Sequence, residues 1–314
     1  MKLFKVKEDF REEYISFSGK QLPYLNYKQM KSIIKISTLF ILILIVSGCN
    51  STSKNKKEES GLLLGVQAYT FHKFSFQEAI DKTNELGLKY IEAYYGQPLG
   101  EKIGEGKFDY KMDATMQQKI LDYAKSKHVK IMASGVIACN NNDEWKQLFD
   151  FAKAMGIEVI TCEPEYNQLK YVDKLANEYN IKIAIHNHPK PSLYWKPDLF
   201  LSHVKGLSKQ IGACVDIGHF KRMGIDPVEA LKKYEGRINS LHFKDIQAKE
   251  EGKEEQRDII WGQGVIDIDG VIAELKRQNF NGLLSIEYEY NWENSVPDIK
   301  ECINYFNTET DKIY

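Results

Sequence analysis

The sequence lacks the short motifs that mark several large classes of protein. It has no Gly-x-Gly-x-x-Gly and no Gly-x-x-x-x-Gly-Lys-Ser/Thr segment, so no glycine-rich nucleotide loop is indicated. Its five cysteines include no Cys-x-x-Cys pair, and three lie in apolar runs typical of strands, which predicts buried thiols rather than a disulfide framework. The formal net charge of −1 supplies no excess of positive charge, which argues against a nucleic-acid partner.

Long apolar runs are also scarce, apart from one near the N-terminus. Residues 33–46 are dominated by Ile and Leu, Lys31 and Lys35 lie at their start, and Val46-Ser47-Gly48-Cys49 follows. A basic region, a short apolar region and small residues before a cysteine resemble the signal peptide and lipobox of bacterial lipoproteins. We therefore expect export and attachment to a bacterial membrane through a lipid on Cys49. A membrane-spanning helix is the alternative, but spanning takes ~20 apolar residues.

This N-terminal segment sets the predicted domain organisation. Residues 1–48 are a leader and signal peptide, and residues 1–29 are consistent with a start codon placed too early, because Met30 precedes the signal. Residues 49–60 are polar and charged, as in a flexible tether. Residues 61–314 form the predicted catalytic domain, and their length suits one barrel of eight βα units.

From Gly61 onward, apolar β-prone runs alternate with amphipathic helical patterns. Several helical patterns end in glycine directly before the next strand, as in Ala154-Met155-Gly156-Ile157. The alternation predicts a (β/α)8 TIM barrel. A doubly wound open sheet is the alternative, but no nucleotide turn follows the first strand. The predicted strands are 63–71, 90–95, 129–137, 159–163, 181–188, 213–217, 240–244 and 284–288, and the clearest helices are 76–86, 115–127, 145–155 and 271–278.

Polar residues accumulate at the carboxyl ends of these strands, where barrels of this kind have their active sites. Five of the seven histidines lie there, namely His72, His186, His188, His219 and His242. Histidines with only structural roles have no reason to prefer one face of the barrel, so this clustering favours a functional role.

Four residues at these ends form a candidate metal site. Glu163, Asp216, His242 and Glu287 fall on strands four, six, seven and eight and can point into one mouth. Three carboxylates would repel one another without a cation. Three carboxylates with one imidazole suit Mn²⁺, Mg²⁺ or Co²⁺ and permit Zn²⁺. The alternative is that Glu163 and Glu287 are salt-bridged residues of the rim.

At these residues the chain resembles the sugar phosphate isomerase/epimerase superfamily, the xylose-isomerase-like metal-dependent barrels. The segments that carry the resemblance are Val215-Asp216-Ile217-Gly218-His219, Ser240-Leu241-His242-Phe243-Lys244-Asp245 and Ile286-Glu287-Tyr288-Glu289. The resemblance implies that Glu163, Asp216, His242 and Glu287 bind one metal and that the two glutamates are the catalytic acid/base pair. It also implies that His219 contacts substrate oxygens. The family's arginine after the strand-seven histidine is not evident here, and Lys244 is the nearest cation.

We expect an unphosphorylated sugar or keto-sugar as substrate, because an exported protein meets few sugar phosphates and no phosphate-binding loop is visible. His186 and His188 could hydrogen-bond to this substrate, and Trp195 could stack on a sugar ring. Alternatively, Trp195 could pack under a loop. Lys244 is a further candidate contact. The charged insert at residues 247–260 is a solvated loop or a mobile lid.

One such site could serve several reactions. Proton abstraction next to a carbonyl leads to epimerisation or isomerisation, which is the main expectation. Elimination or hydration by a lyase or hydratase of 3-keto-glycosides, or of their glycal products, is the alternative. A non-catalytic sugar-binding lipoprotein is the second alternative, although a pure binder has little use for three convergent carboxylates.

Overall fold

The computed structural model describes residues 16–17, 20–21, 61–252 and 256–314. The chain divides into two units, residues 1–55 and 56–314. In the first, two-residue strands Ser16–Phe17 and Lys20–Gln21 pair antiparallel. The predicted apolar signal segment, Cys49 and the tether lie outside the described residues.

Eight parallel strands in the second unit form a closed barrel, in which each strand pairs with the next and β8 pairs with β1. This confirms the predicted barrel and all eight predicted strands. The strands are β1 Leu63–Gln67, β2 Tyr90–Ala93, β3 Lys130–Ile137, β4 Val159–Cys162, β5 Lys182–His186, β6 Ile211–Asp216, β7 Ile238–Phe243 and β8 Leu283–Ile286.

The first strand ends earlier than its apolar pattern predicts. β1 ends at Gln67, and a 3-10 helix, Ala68–Phe71, continues the apolar run. The backbone changes direction here because the Gln67 side chain accepts a hydrogen bond from the Tyr69 amide. The turn places Tyr69 and His72 beside each other at the carboxyl end of the barrel, with ring centroids 4.7 Å apart.

Helices separate the strands and pack their apolar faces on the outside of the barrel. Ser75 and Glu78 form a capping box at the start of the first helix, and Gly156 ends the third with a φ of 67°. The helices are α1 Phe76–Glu85, α2 Ala114–Ser126, α3 Asn142–Met155, α4 Leu169–Tyr179, α5 Pro197–Val204, α6 Ile217–Arg222, α7 Pro227–Lys233, α8 Ile268–Arg277 and α9 Val296–Ile313.

Asp245–Ile246 precede the charged insert after β7 and pair antiparallel with Asp258–Ile259 near its end. Trp261, which follows it, is buried. The Asp245 carboxylate accepts hydrogen bonds from the amides of Gly262 and Gly264, and Gly262 has a φ of 80°. The two glycines thus form a turn, and their hydrogen bonds tie the end of the insert to the barrel.

The four described cysteines, Cys139, Cys162, Cys214 and Cys302, are buried and form no disulfide, which confirms the predicted buried thiols. Burial raises the pKa of the Cys139 and Cys302 thiols to about 12. Among the residues that the structure describes, no helix combines the length and the apolar character needed to cross a bilayer.

Candidate metal and substrate site

Four buried residues meet at the carboxyl ends of the strands. His186 and Asp216 are the last residues of β5 and β6, His242 lies near the end of β7, and Glu287 follows β8. One donor atom from each lies within 4.8 Å of the others. Because the strands are parallel, their carboxyl ends lie on one rim, which brings residues distant in sequence together.

Three atoms of this four-residue group make no hydrogen bond to a described residue, although Asp216 Oδ2 also pairs with a lysine. His186 Nε2, Asp216 Oδ2 and His242 Nδ1 are buried and make no hydrogen bond to any described residue. Buried polar atoms without such a bond are costly unless another group satisfies them. His186 Nε2 lies 3.6 Å from Asp216 Oδ2, and His242 Nδ1 lies 3.0 Å from Glu287 Oε2. The donor set therefore fits a divalent metal ion.

Lys244 supplies a fixed positive charge next to this group. Its amine lies 3.0 Å from Asp216 Oδ2, 2.8 Å from Glu287 Oε2 and 2.6 Å from Glu289 Oε1. Burial lowers the pKa of Lys244, but the carboxylates outweigh burial and hold this pKa well above its ordinary value. The side chain is fully buried. The Lys244 amine thus contacts three carboxylates. Its predicted contact with substrate stays a prediction.

Gly218 makes room for the Lys244 side chain. A Cβ atom at position 218 would lie 2.5 Å from both Cγ and Cδ of Lys244. Any larger residue there would displace the lysine stem, because Cβ contacts this short do not occur. The glycine in Asp216-Ile217-Gly218-His219 thus has a packing role that the motif alone does not reveal.

Glu163, predicted as a ligand, follows β4 and lies outside the four-residue group. Its Oε1 lies 3.1 Å from His186 Nδ1 and 2.5 Å from His188 Nδ1, and its Oε2 accepts a hydrogen bond from Ser192. Burial raises the pKa of Glu163, but the hydrogen bonds from the two histidines outweigh it and lower this pKa below its ordinary value. The ligand role of Glu163 stays a prediction.

His188 and His219 lie between the buried group and solvent. The His188 side chain is 48% exposed and that of His219 is 13% exposed. The His219 amide donates to Asp216 Oδ1 at 2.6 Å, which caps the start of α6. Burial holds the pKa of His219 well below its ordinary value, so the ring is neutral. His188 is thus accessible from solvent, and the substrate contacts of both histidines stay predictions.

Trp195 contacts lysines rather than the buried group. The amines of Lys190 and Lys196 lie 4.1 and 5.3 Å from the centre of its ring. A different aromatic residue, Trp292, lies 4.3 Å from His72 and 5.8 Å from Tyr69 between ring centroids. Trp292 also lines a cavity of 650 Å³ together with Arg222 and Glu289. This volume is in the range of small-molecule sites.

Glu92 on β2 is a buried residue that sequence reasoning missed. Its two carboxylate oxygens each lie 3.2 Å from His242 Nε2, and Ser285 donates to Oε2 at 2.6 Å. A carboxylate behind a histidine fixes the ring and leaves the opposite nitrogen free for a metal. The available signal was a lone acidic residue within the apolar strand Tyr90-Ile91-Glu92-Ala93.

Known proteins resemble this chain in both sequence and structure. It is 22% identical to the inosose isomerase of Bacillus velezensis over 271 residues, covering 75% of this chain and 93% of the relative. It is 22% identical to the inosose dehydratase of Clostridium beijerinckii over 258 residues, covering 68% of this chain and 82% of the relative.

Among solved structures, an uncharacterised protein of Parabacteroides distasonis ATCC 8503 shares 35% identity at a TM-score of 0.65, covering 79% of this chain and 99% of the other. A structure of the IOLI protein with bound zinc has 18% identity and a TM-score of 0.65, covering 80% of this chain and 99% of the other. At residues 80–308 the chain matches the family described as xylose isomerase-like TIM barrel. This chain therefore belongs to the xylose isomerase-like TIM barrel family.

Proposed function

We propose that this protein is a divalent-metal-dependent isomerase or epimerase of an unphosphorylated sugar or keto-sugar, acting by proton abstraction next to a carbonyl. The observation that carries the proposal is the convergence of four buried residues with metal-binding side chains, His186, Asp216, His242 and Glu287, at the catalytic rim of the barrel. The relative named inosose isomerase supports the reaction type.

Asp216, His242 and Glu287 would hold the metal. When bound, a divalent ion supplies Lewis acidity that polarises a carbonyl and acidifies the adjacent C–H. Lys244 keeps Asp216 and Glu287 in place through its ion pairs. The zinc-bound neighbour supports a divalent ion.

Glu163 and Glu287 would move the proton. They follow β4 and β8, on opposite sides of the eight-stranded barrel, so they can approach a substrate from opposite faces. Burial raises the pKa of each carboxyl, but the neighbouring histidines, with Lys244 for Glu287, outweigh burial and lower it. Both are therefore carboxylates at neutral pH, the form that accepts a proton. Neutral His219 and the exposed His188 can hydrogen-bond to substrate hydroxyls.

Elimination is the second candidate, and the relative named inosose dehydratase supports it. The same carboxylate would abstract the proton, and the electrons of the broken C–H bond would form the C=C double bond. The substituent on the next carbon would leave with the electrons of its own bond and take up a proton. A lyase or hydratase acting on a 3-keto-glycoside or its glycal product would use this route.

The cellular location of the protein is proposed from the sequence alone. We propose that Cys49 carries a lipid that anchors the exported protein to a bacterial membrane.

Solvent exchange tests the proposal. Protein loaded in turn with Mn²⁺, Co²⁺ and Zn²⁺ is incubated in D₂O with a panel of keto-sugars and their phosphorylated counterparts. We expect deuterium at the carbon next to the carbonyl of an unphosphorylated substrate. The control variant Glu165→Gln should keep this exchange. Whichever of Glu163→Gln and Glu287→Gln removes the abstracting glutamate should lose it. Turnover with full retention of the original hydrogen would contradict proton abstraction. Sugar binding without exchange or turnover would favour a non-catalytic binder.

A further inference from the structure

We propose that His186, rather than Glu163, is the fourth metal ligand, and that Glu163 orients the His186 ring in addition to its proposed role in proton transfer. The inference rests on the proposed metal-dependent function, because it concerns how the same ion is held. It changes the expected ligand set from three carboxylates and one imidazole to two carboxylates and two imidazoles.

The first argument is the direction of the His186 ring. Its Nδ1 lies 3.1 Å from Glu163 Oε1, and a carboxylate can only accept, so Nδ1 carries the hydrogen. The lone pair of the neutral ring is then on Nε2. That atom is buried, makes no hydrogen bond to a described residue and lies 3.6 Å from Asp216 Oδ2. His186 thus directs Nε2 at the volume where the metal would lie, and the lone pair on this atom becomes free when the metal displaces its proton.

The second argument is that His242 shows the same arrangement. Its Nε2 contacts the Glu92 carboxylate, and its Nδ1 is directed at Glu287. The centroids of the two histidine rings are 4.8 Å apart. Each ring therefore has a carboxylate on one nitrogen and the shared four-residue group on the other. Metal-ligating histidines are commonly oriented by a carboxylate in this way.

The third argument is that Glu163 is already engaged. Its Oε1 accepts hydrogen bonds from the His188 amide and from the His186 and His188 rings, and its Oε2 accepts from Ser192. Direct coordination through either oxygen would have to compete with these contacts. His186 needs no such rearrangement.

The charges and donor types then indicate which metal fits. The single positive charge of Lys244 compensates one of the three negative charges on Asp216, Glu287 and Glu289. Two negative charges then remain for a dication to neutralise. Two imidazoles with two carboxylates favour Zn²⁺ or Co²⁺ over Mg²⁺, which prefers oxygen ligands. The ligand set thus points to a metal ion of intermediate hardness, such as Zn²⁺ or Co²⁺.

Proton NMR of the full-length protein loaded with Co²⁺ tests this ligand set. The N–H of a ring bound to Co²⁺ is strongly shifted and disappears in D₂O, so these signals count the histidine ligands. We expect two such signals, both coupled to nitrogen in protein labelled with ¹⁵N-histidine. His186→Asn should lose one signal, while His203→Asn, on the outer surface, should keep both. Glu163→Gln should keep both and bind Co²⁺ about 10- to 100-fold more weakly, as expected for a group behind a ligand.

One shifted signal in the wild-type protein would overturn the assignment of His186 while leaving the proposed metal-dependent function standing. Loss of Co²⁺ from Glu163→Gln together with retention by His186→Asn would overturn it as well. A wild-type protein that binds no Co²⁺ or Zn²⁺ would overturn both proposals. Because the count is made on the wild-type protein, the test holds even where His186→Asn does not fold.

Discussion

Glu92 and His242 are 150 positions apart in sequence, yet both Glu92 carboxylate oxygens lie 3.2 Å from His242 Nε2 inside the barrel. Strands β2 and β7 bring them together, and Ser285 on β8 donates to Glu92 from a third strand. The contact fixes which nitrogen of His242 faces the metal group. It gives Glu92 a supporting role in the proposed metal site, without contact to the metal.

Replacement of Glu92 by Gln should therefore weaken metal binding. The amide keeps the size of the side chain but removes the charge that orients and polarises the imidazole. We expect the affinity for Zn²⁺ or Co²⁺ to fall about 10- to 100-fold, measured by competition with a chelator. Glu85→Gln, a surface substitution in an ion pair with Lys300, should bind like the wild type. Unchanged affinity in Glu92→Gln would contradict the positioning role.

Lys244→Met should destabilise the metal-free protein by about 3–5 kcal/mol, because removing one partner of a buried ion pair leaves the others uncompensated. Added metal should restore more stability to Lys244→Met than to the wild type, since the dication then replaces the missing charge. Thermal unfolding with and without Zn²⁺ measures both effects. Lys232→Met, which removes an exposed pair with Glu229, is the control. Equal stabilisation by Zn²⁺ in both proteins would count against the shared charge balance.

Glu163→Gln and Glu287→Gln should each lower the rate by at least ~10²-fold at saturating metal, the low end for a positioned acid or base. Saturation is necessary because Glu287 is also a candidate ligand. The exposed neighbours offer matched controls, and Glu165→Gln and Glu293→Gln should keep the wild-type rate. A full rate in either catalytic variant would remove that glutamate from the acid/base pair.

Metal binding should strengthen as the pH rises. Burial lowers the pKa of His186, but the neighbouring carboxylates of Asp216 and Glu163 outweigh it and raise this pKa to about 9 in the metal-free protein. Because the folded pKa is above the ordinary 6.5, the protonated ring stabilises the metal-free fold below pH 6.5, and this contribution is lost as the pH rises through 9. A metal bound at His186 must displace that proton.

The apparent affinity for Co²⁺ should therefore rise by up to about tenfold per pH unit between about pH 7 and pH 9, measured by titration in a non-chelating buffer. His186→Asn should show a shallower slope over the same interval. An equal slope in both proteins would indicate that the proton is displaced from another group.

Cys49→Ala should abolish lipid labelling and membrane retention in a bacterial host, because the thiol is the proposed site of lipid attachment. Labelling with a radioactive fatty acid and membrane fractionation measure the two effects. A variant that labels and fractionates like the parent would refute the lipoprotein hypothesis.

The barrel could be predicted from sequence because its signals are local. Apolar runs of strand length alternate with helical patterns, and glycines such as Gly156 mark where a helix must stop. The ends of strands could not be predicted as well, and β1 is an example. The chain turns where the Gln67 side chain accepts a hydrogen bond from the Tyr69 amide, although the apolar pattern continues.

The site could be predicted only in part, because its contacts join strands far apart in sequence. The sequence placed Asp216, His242 and Glu287 on one rim, and the structure brings them together. Glu92 was missed, since its role depends on His242. The directions of side chains were also beyond pattern reasoning, so the engagement of Glu163 with His186 could not be foreseen.

The close fit of Gly218 against Lys244 has an evolutionary consequence. A methyl group at position 218 would occupy the space of the lysine stem, so substitutions at the two positions cannot accumulate independently. A homologue with alanine or serine at 218 should carry a shorter or differently directed residue at 244, and its carboxylates would then need another counter-charge. The pair therefore provides a two-residue fingerprint for sorting relatives by how they balance the charge of the metal site.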